Sequence, residues 1–572
     1  MSAMPSETGV RVRETEWWLR PAVFAPLLAS AAAIVSIWYG RQYLPFQDEG
    51  GMLALSSRIL HGGVFYRDLD AYALPGANYL LAGCMALFGD HLRVARGLAG
   101  ALFCGSLLAL YASALAVVDR RSAAAFALSL LSLKFLAWPM YTSFVHGDTA
   151  YFFAWVGIAC FLHSVHDEKL RMPRLAAAGS AIALSILCKQ NLGLYVAAAA
   201  VALLLAPGTW MGRASLGAQR GLALRAFAAA GAVPLALAAI WFATQGVLGA
   251  MLWSGFVRPL TGYIETSAVA YHPMLAWWEL GSPRGTAASS YIPVELWRML
   301  MLERLPGSQL YDVYWMLAEI ASRTLYTLVP LTFVCAIVHR LRGAATGRDA
   351  RLHALALLSL AGILAAFPRV DVLHLIPALP PIFLVLYALW RRTAGSWRFA
   401  RVAELALLVS ALGTSAALAL HAASFLTLRV ELKKADVWIS PSEAWIEPLI
   451  AVSDRVIGSG EPFFVYGDEA QLYYLSDRYP PWPFVWLYPG MEGGDGGKAL
   501  ADALRRDPPK LIVRGMSDLP GLPSLPSYTR EIEAFIDQNY AVDAGFFERN
   551  PGRGPEPPKW LIQVLRPRQP NP

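Results

Sequence analysis

Eleven long apolar runs, separated by charged or turn-rich connections, restrict this chain to a membrane fold. They cover residues 21–39, 97–118, 122–140, 149–165, 174–188, 191–206, 226–247, 321–338, 352–367, 375–390 and 401–426. A bilayer core asks for roughly 20 apolar residues per spanning helix. Lipid offers the backbone no hydrogen-bond partners, so each run must satisfy its own as a helix. Composition agrees: 56% of the chain is apolar and 16% charged, against about 25% charged in a soluble domain. The charge is uneven, with a net +11 over residues 1–427 and a net −4 over residues 428–572. The expected organisation is an all-α polytopic membrane domain over 1–427 and a small soluble domain over 428–572. The basic excess sits with the membrane region, which argues against a nucleic-acid partner.

Segment 75–89 (PGANYLLAGCMALFG) is apolar but short, and suits an interfacial or re-entrant helix better than a span. With it left out of the count, Arg11, Arg13, Arg20, Arg120, Arg121, Lys169, Arg171, Arg174, Arg213, Arg220, Arg225, Arg340, Arg342, Arg348, Arg351, Arg391, Arg392, Arg398 and Arg401 share one side. The short loops of the other side carry only Lys189 and Arg369. This positive-inside pattern puts the N-terminus in the cytoplasm and the C-terminus outside a bacterial cytoplasmic membrane. The first run then reads as an uncleaved anchor.

Three larger regions fall outside the cytoplasm. The first outer loop (40–96) is expected to hold juxtamembrane helices lying on the bilayer. The long outer loop (248–320) is rich in Trp and Tyr, which favour membrane interfaces. In the tail, 463–467, 510–514 and 560–565 read as strands, and 468–477 and 498–507 as helices. That alternation predicts a small α/β domain with a partly parallel sheet. Cys84, Cys104, Cys160, Cys188 and Cys335 lie in apolar stretches without CxxC spacing, and read as small buried hydrophobes.

Drawing the topology gathers polar residues at the outer face. Asp48 and Glu49 follow the first span, His146 and Asp148 the third, and Lys189, Gln190 and Asn191 form the turn between the fifth and sixth. Arg369, Asp371 and His374 lie between the ninth and tenth, and Lys134 lies toward the outer half of the third. Ionisable groups at such depth are costly and point to function. Each also has a plain reading: Asp148 as a helix N-cap, Arg369 as the partner of Asp371, Lys134 snorkelling to the interface, Lys189 as a solvated loop residue. Together they suit transfer from a lipid phosphate. A carboxylate can deprotonate an incoming hydroxyl, and Arg and Lys can hold the phosphate and the charge it gains on leaving.

The stretch 46–96 carries an acidic pair (Asp48–Glu49), Gly62 to Asp68 in a G-x-x-[YF]-x-D element, Pro75 to Tyr79, and Leu87 to Gly89 followed by Arg96. It resembles the first outer loop of GT-C glycosyltransferases, in particular bacterial members related to protein O-mannosyltransferases and lipid A aminoarabinose transferases. The CKQN turn and the R-x-D-x-x-H-L turn are similar to those of bacterial members, and the resemblance covers roughly residues 15–430. It implies a polyprenyl-phosphate sugar donor, an acceptor reached from outside and inversion at the sugar carbon. By that resemblance Asp48 is the base or the main acceptor-orienting group, Glu49 positions the acceptor or a metal, and Asp148 helps shape the acceptor or metal site. Lys189 and Arg369 are the leading donor-phosphate cations, with Lys134 and Arg58 behind them and His146, Asp68, Gln190, Asp371 and His374 in support. Some members use a divalent metal, Mg or Mn, and others none; the sequence names no ligand set. Two other functions suit many of the same features: a polymer ligase or polymerase with a lipid-diphosphate donor, and a lipid-linked sugar transporter or flippase.

Overall fold

Each apolar run contains helix, most with ends shifted by a few residues. In the computed structural model the described residues are 14–136, 141–166, 169–206, 219–264, 268–272, 309–343, 347–394, 398–458, 461–480, 482–491, 495–515, 523–547 and 560–568. Most of the long outer loop, including Trp277, Trp278, Tyr291 and Trp297, lies outside them. Helix α1 (Pro21–Tyr39) opens on a proline, whose fixed φ and missing N–H suit a first turn. Helices α2 (Gln47–Leu60) and α3 (Gly76–Phe88) occupy the first outer loop, followed by α4 (Leu92–Val117) and α5 (Arg120–Ser129). Then come α6 (His146–Leu162), α7 (Met172–Cys188), α8 (Gln190–Leu205) and α9 (Arg220–Thr244). The later helices are α10 (Gln309–Leu341), α11 (Gly347–Leu364), α12 (Leu379–Ala394) and α13 (Arg398–Phe425).

Among the described residues, five helices are long and apolar enough to cross a membrane: Pro21–Tyr39, Leu92–Val117, Arg220–Thr244, Glu319–Leu341 and Val372–Thr393. This is a membrane protein. The run 122–140 is not one helix: α5 passes through a 3-10 turn (Leu130–Ser132) into a last turn at Leu133–Leu136. Helix α3, at 13 residues, reaches only about 20 Å, too short to span. Where α7 and α9 cross, Gly179 lets the backbones close in, since a Cβ there would lie 2.1 Å from the Phe227 carbonyl oxygen. Small residues at helix crossings are the usual means of close packing in lipid.

Helix α2 is enclosed by protein. Glu49 through Ser57 are all buried, because the tail covers it. The tail starts with a hairpin, β1 (Leu428–Leu432) and β2 (Ala435–Ile439), whose Trp438 pairs through its backbone with Arg41 and Tyr43 at the outer end of α1. Lys434 extends from the hairpin turn to Asp90 (2.7 Å) and Asp477 (2.6 Å). A four-stranded sheet follows, made of β3 (Phe464–Tyr466), β4 (Ile512–Gly515), β5 (Tyr540–Phe547) and β6 (Trp560–Pro567). Its order is β3-β4-β6-β5, with β3 and β4 parallel and the remaining pairs antiparallel. The helix expected over 468–477 is one short piece, Gln471–Leu475. One apolar core runs without a break from the membrane helices through α2 to Tyr473, Tyr474 and Trp486 of the tail. A second cluster, including Phe464, Leu504, Ile532 and Phe535, fills the outer side of the sheet.

Candidate functional site

The acidic pair opens α2, where carboxylates meet the positive end of the helix dipole. One residue is about 100° of helical turn, so the two side chains point apart. Glu49 is fully buried and its oxygens take hydrogen bonds from Arg96 Nε (3.2 Å) and Nη2 (2.9 Å) and from the Phe144 N–H (3.2 Å). Arg96 Nη1 also donates to the carbonyls of Gln42 (2.6 Å) and Tyr43 (3.0 Å). The arginine of the first-loop motif thus ties α2 to α4 through Glu49. Asp48 faces elsewhere. Its Oδ1 accepts a hydrogen bond from Tyr488 Oη at 3.3 Å, and it lies in the field of His374, Arg369 and Asp371. Burial pushes the Asp48 carboxyl up, against the lowering pull of His374, Tyr488 and Arg369.

Asp371 organises the turn before the tenth span. It caps the short helix Val372–Leu375 through the His374 N–H (3.0 Å). The same carboxylate meets His374 Nδ1 at 2.7 Å and Arg369 Nε at 2.5 Å. Burial alone would raise it, but His374 and Arg369 outweigh burial and hold it well below the usual carboxylate range. The plain pairing of Arg369 with Asp371 is therefore present, and it aims the guanidinium within electrostatic range of Asp48.

Lys189 sits in the tight turn between α7 and α8, within electrostatic range of Asp371 and Asp148. Burial lowers its ammonium to about 8. Gln190 holds that turn in place: Nε2 donates to the carbonyls of Tyr72 (2.8 Å) and Gly255 (2.5 Å), and Oε1 accepts from the Leu74 N–H (3.2 Å). Asn191 Nδ2 bonds the Ala365 carbonyl at 2.9 Å. His146 and Asp148 stand in the first turn of α6, whose N-cap is Val145, so Asp148 is not the cap. One Asp148 oxygen accepts the Tyr141 N–H at 2.8 Å, and the other is buried with no hydrogen-bond partner among the described residues. Lys134 does not snorkel to the interface. It is buried over the Phe103 ring at 4.9 Å and bonds the Tyr141 carbonyl, within electrostatic range of Asp148.

The structure therefore joins Asp48, Arg369, Asp371, His374, Lys189, His146, Asp148 and Lys134 into one charge network. Two sequence candidates stand apart. Arg58, ten residues along α2, lies about 15 Å from Asp48 and faces Asp68 and Tyr479. Asp68 closes a turn through the Val64 N–H (2.8 Å) and pairs with Arg67. Among the described residues, no three His, Cys, Asp or Glu side chains converge as an ion cage.

Sequence reasoning missed Tyr488, because the tail was read as a separate soluble unit. The aromatic run at 482–488 (WPFVWLY) was the signal available. It also missed Arg258, which pairs with Asp70 (2.7 Å) between the rings of Tyr72 (4.7 Å) and Phe484 (5.3 Å). That contact locks two outer loops and the tail together.

Residues 73–241 match the family model of dolichyl-phosphate-mannose-protein mannosyltransferases. The structure superposes on the Archaeoglobus fulgidus oligosaccharyltransferase tethered with an acceptor peptide containing the NVT sequon, with a TM-score of 0.52 and 12% identity over 96% of this chain and 74% of that one. This is the GT-C fold. Two further structures score lower. ArnT from Cupriavidus metallidurans, bound to undecaprenyl phosphate, gives a TM-score of 0.39 at 14% identity, over 96% of this chain and 98% of that one. The mycobacterial arabinofuranosyltransferase AftD gives 0.43 at 15%, over 95% and 41%. No curated protein matches the chain by sequence.

Proposed function

We propose that this protein transfers a sugar from a polyprenyl-phosphate donor to an acceptor hydroxyl or amide at the outer face of the cytoplasmic membrane. The observation that carries the reading is a buried carboxylate, Asp48, in the field of Arg369, with Lys189 from another turn in the field of the same Asp371 that holds Arg369. The GT-C fold and the partial match to a lipid-phosphate mannosyltransferase family support the donor class. Asp48 takes the proton of the acceptor group as that group attacks the anomeric carbon. The bond between that carbon and the phosphate oxygen breaks, and the electron pair leaves with the lipid phosphate. One displacement from the opposite face inverts the carbon. The leaving phosphate gains negative charge, which Lys189 and Arg369 stabilise where it develops. Asp148, with its unshared oxygen, lines the acceptor side, and Glu49 holds α2 in place.

Asp48→Asn keeps the shape and removes the base. Purified and supplied with a polyprenyl-monophosphate sugar, this variant should lose about 10²–10⁴-fold in turnover with unchanged thermal unfolding. Near-normal turnover in Asp48→Asn would remove Asp48 as the base. Activity with diphosphate donors alone would move the protein to the ligase and polymerase class. A mass spectrum of lipid co-purified with the wild type identifies the donor class independently.

A further inference from the structure

The tail reaches into the site through one segment, residues 482–491. Trp486 and Tyr488 stack in a parallel, offset arrangement, with ring centroids 5.9 Å apart and planes 10° off parallel. Trp486 Nε1 donates to the Gln47 carbonyl at 3.2 Å, one residue before Asp48. Tyr72 Oη donates to the Pro489 carbonyl at 2.9 Å, and the Asp70 N–H to the Pro483 carbonyl at 3.1 Å. Tyr528 Oη holds the Leu487 carbonyl at 2.7 Å from the tail side. The segment is thus fixed at both flanks, and Tyr488 Oη arrives at Asp48 Oδ1 from a defined direction. Among the described residues this is the one direct hydrogen bond to Asp48.

We infer that Tyr488 is a positioning residue for the base, so that the C-terminal region completes the reaction centre. This rests on the glycosyl-transfer reading for its role and on the Tyr488–Asp48 contact for its geometry. A phenol that donates to Oδ1 favours the ionised carboxylate. It also orients the group, leaving Oδ2 for the acceptor proton. The other charges that face Asp48 come from a different turn: His374 and Arg369 favour ionisation and Asp371 opposes it. His146 and Lys189 act one layer further out, through His374 and Asp371. Glu49, next on α2, is neutralised by Arg96.

Tyr488→Phe retains the stack on Trp486 and removes only the hydroxyl. Two measurements on the full-length protein in nanodiscs test the inference. The first is carbodiimide labelling of Asp48 across pH, read by mass spectrometry. Its midpoint should rise by about one unit in Tyr488→Phe and stay fixed in Tyr540→Phe, a tail tyrosine bonded to the Pro509 carbonyl instead. The second is kcat/KM for the polyprenyl-monophosphate sugar. It should fall roughly tenfold on the acid limb and recover toward wild type as the pH rises. An unmoved labelling midpoint, or an equal shift in Tyr540→Phe, overturns the inference whatever the activity. A shifted midpoint in a protein that transfers no sugar would leave the contact intact and defeat the glycosyl-transfer reading instead. A pH-independent loss of kcat/KM would reduce Tyr488 to packing and also overturn it.

Discussion

Lys189 has no ion pair or hydrogen bond from its Nζ among the described residues, although Asp371 and Asp148 lie within electrostatic range. Its ammonium is therefore available to a phosphate, and it is present only below its lowered pKa of about 8. Capture of an anionic donor, read as kcat/KM for that donor, should decline as the pH rises through about 8. Arginine stays charged throughout this range. Lys189→Arg should therefore abolish the alkaline limb even if its maximum is lower. An alkaline limb that persists in Lys189→Arg would assign the limb to another group. At this scale the sequence names residue types and not their states. It could place Asp48 and Glu49 side by side, but one is held by Arg96 and the other by Tyr488. Those partners lie 47 and 440 residues away.

Helix α2 shows how an element is fitted to its surroundings. Gly50 and Gly51 follow the acidic pair where a helix gains little from glycine. Their value is close approach. A Cβ at Gly50 would lie 2.4 Å from the backbone of Gln471, and one at Gly51 would lie 1.8 Å from the Trp486 ring. Overpacking of this kind costs about 1–3 kcal/mol. Gly50→Ala and Gly51→Ala should both lower the thermal unfolding temperature. Trp486→Leu should restore much of the stability of Gly51→Ala, since the obstacle is a side chain. It should not rescue Gly50→Ala, whose obstacle is backbone. Equal rescue of both would mean that the tail shifts as a body instead of gripping α2 residue by residue.

For the whole molecule, the arginine distribution predicts eleven spans, a cytoplasmic N-terminus and an external C-terminus. An alkaline phosphatase fused after Pro572 should be active, and a cytoplasmic reporter at the same place silent. The opposite pair of results would shift the span count by one and turn the site to the other face. The helices themselves were legible because a membrane helix must satisfy its own backbone, so length and hydropathy alone locate it. The charge cluster was legible for a related reason: topology puts the ends of alternate helices on one side, whichever helices touch. The division into two parts was legible only as composition. A net charge of −4 over the tail says that water surrounds most of it, and says nothing about which face is covered. The tertiary structure decided that the tail packs on α2, that its core continues into the membrane region, and that Tyr488 meets Asp48. Hydropathy is a property of each segment by itself. A contact between distant segments depends on shape and direction, which arise only when both are folded against each other.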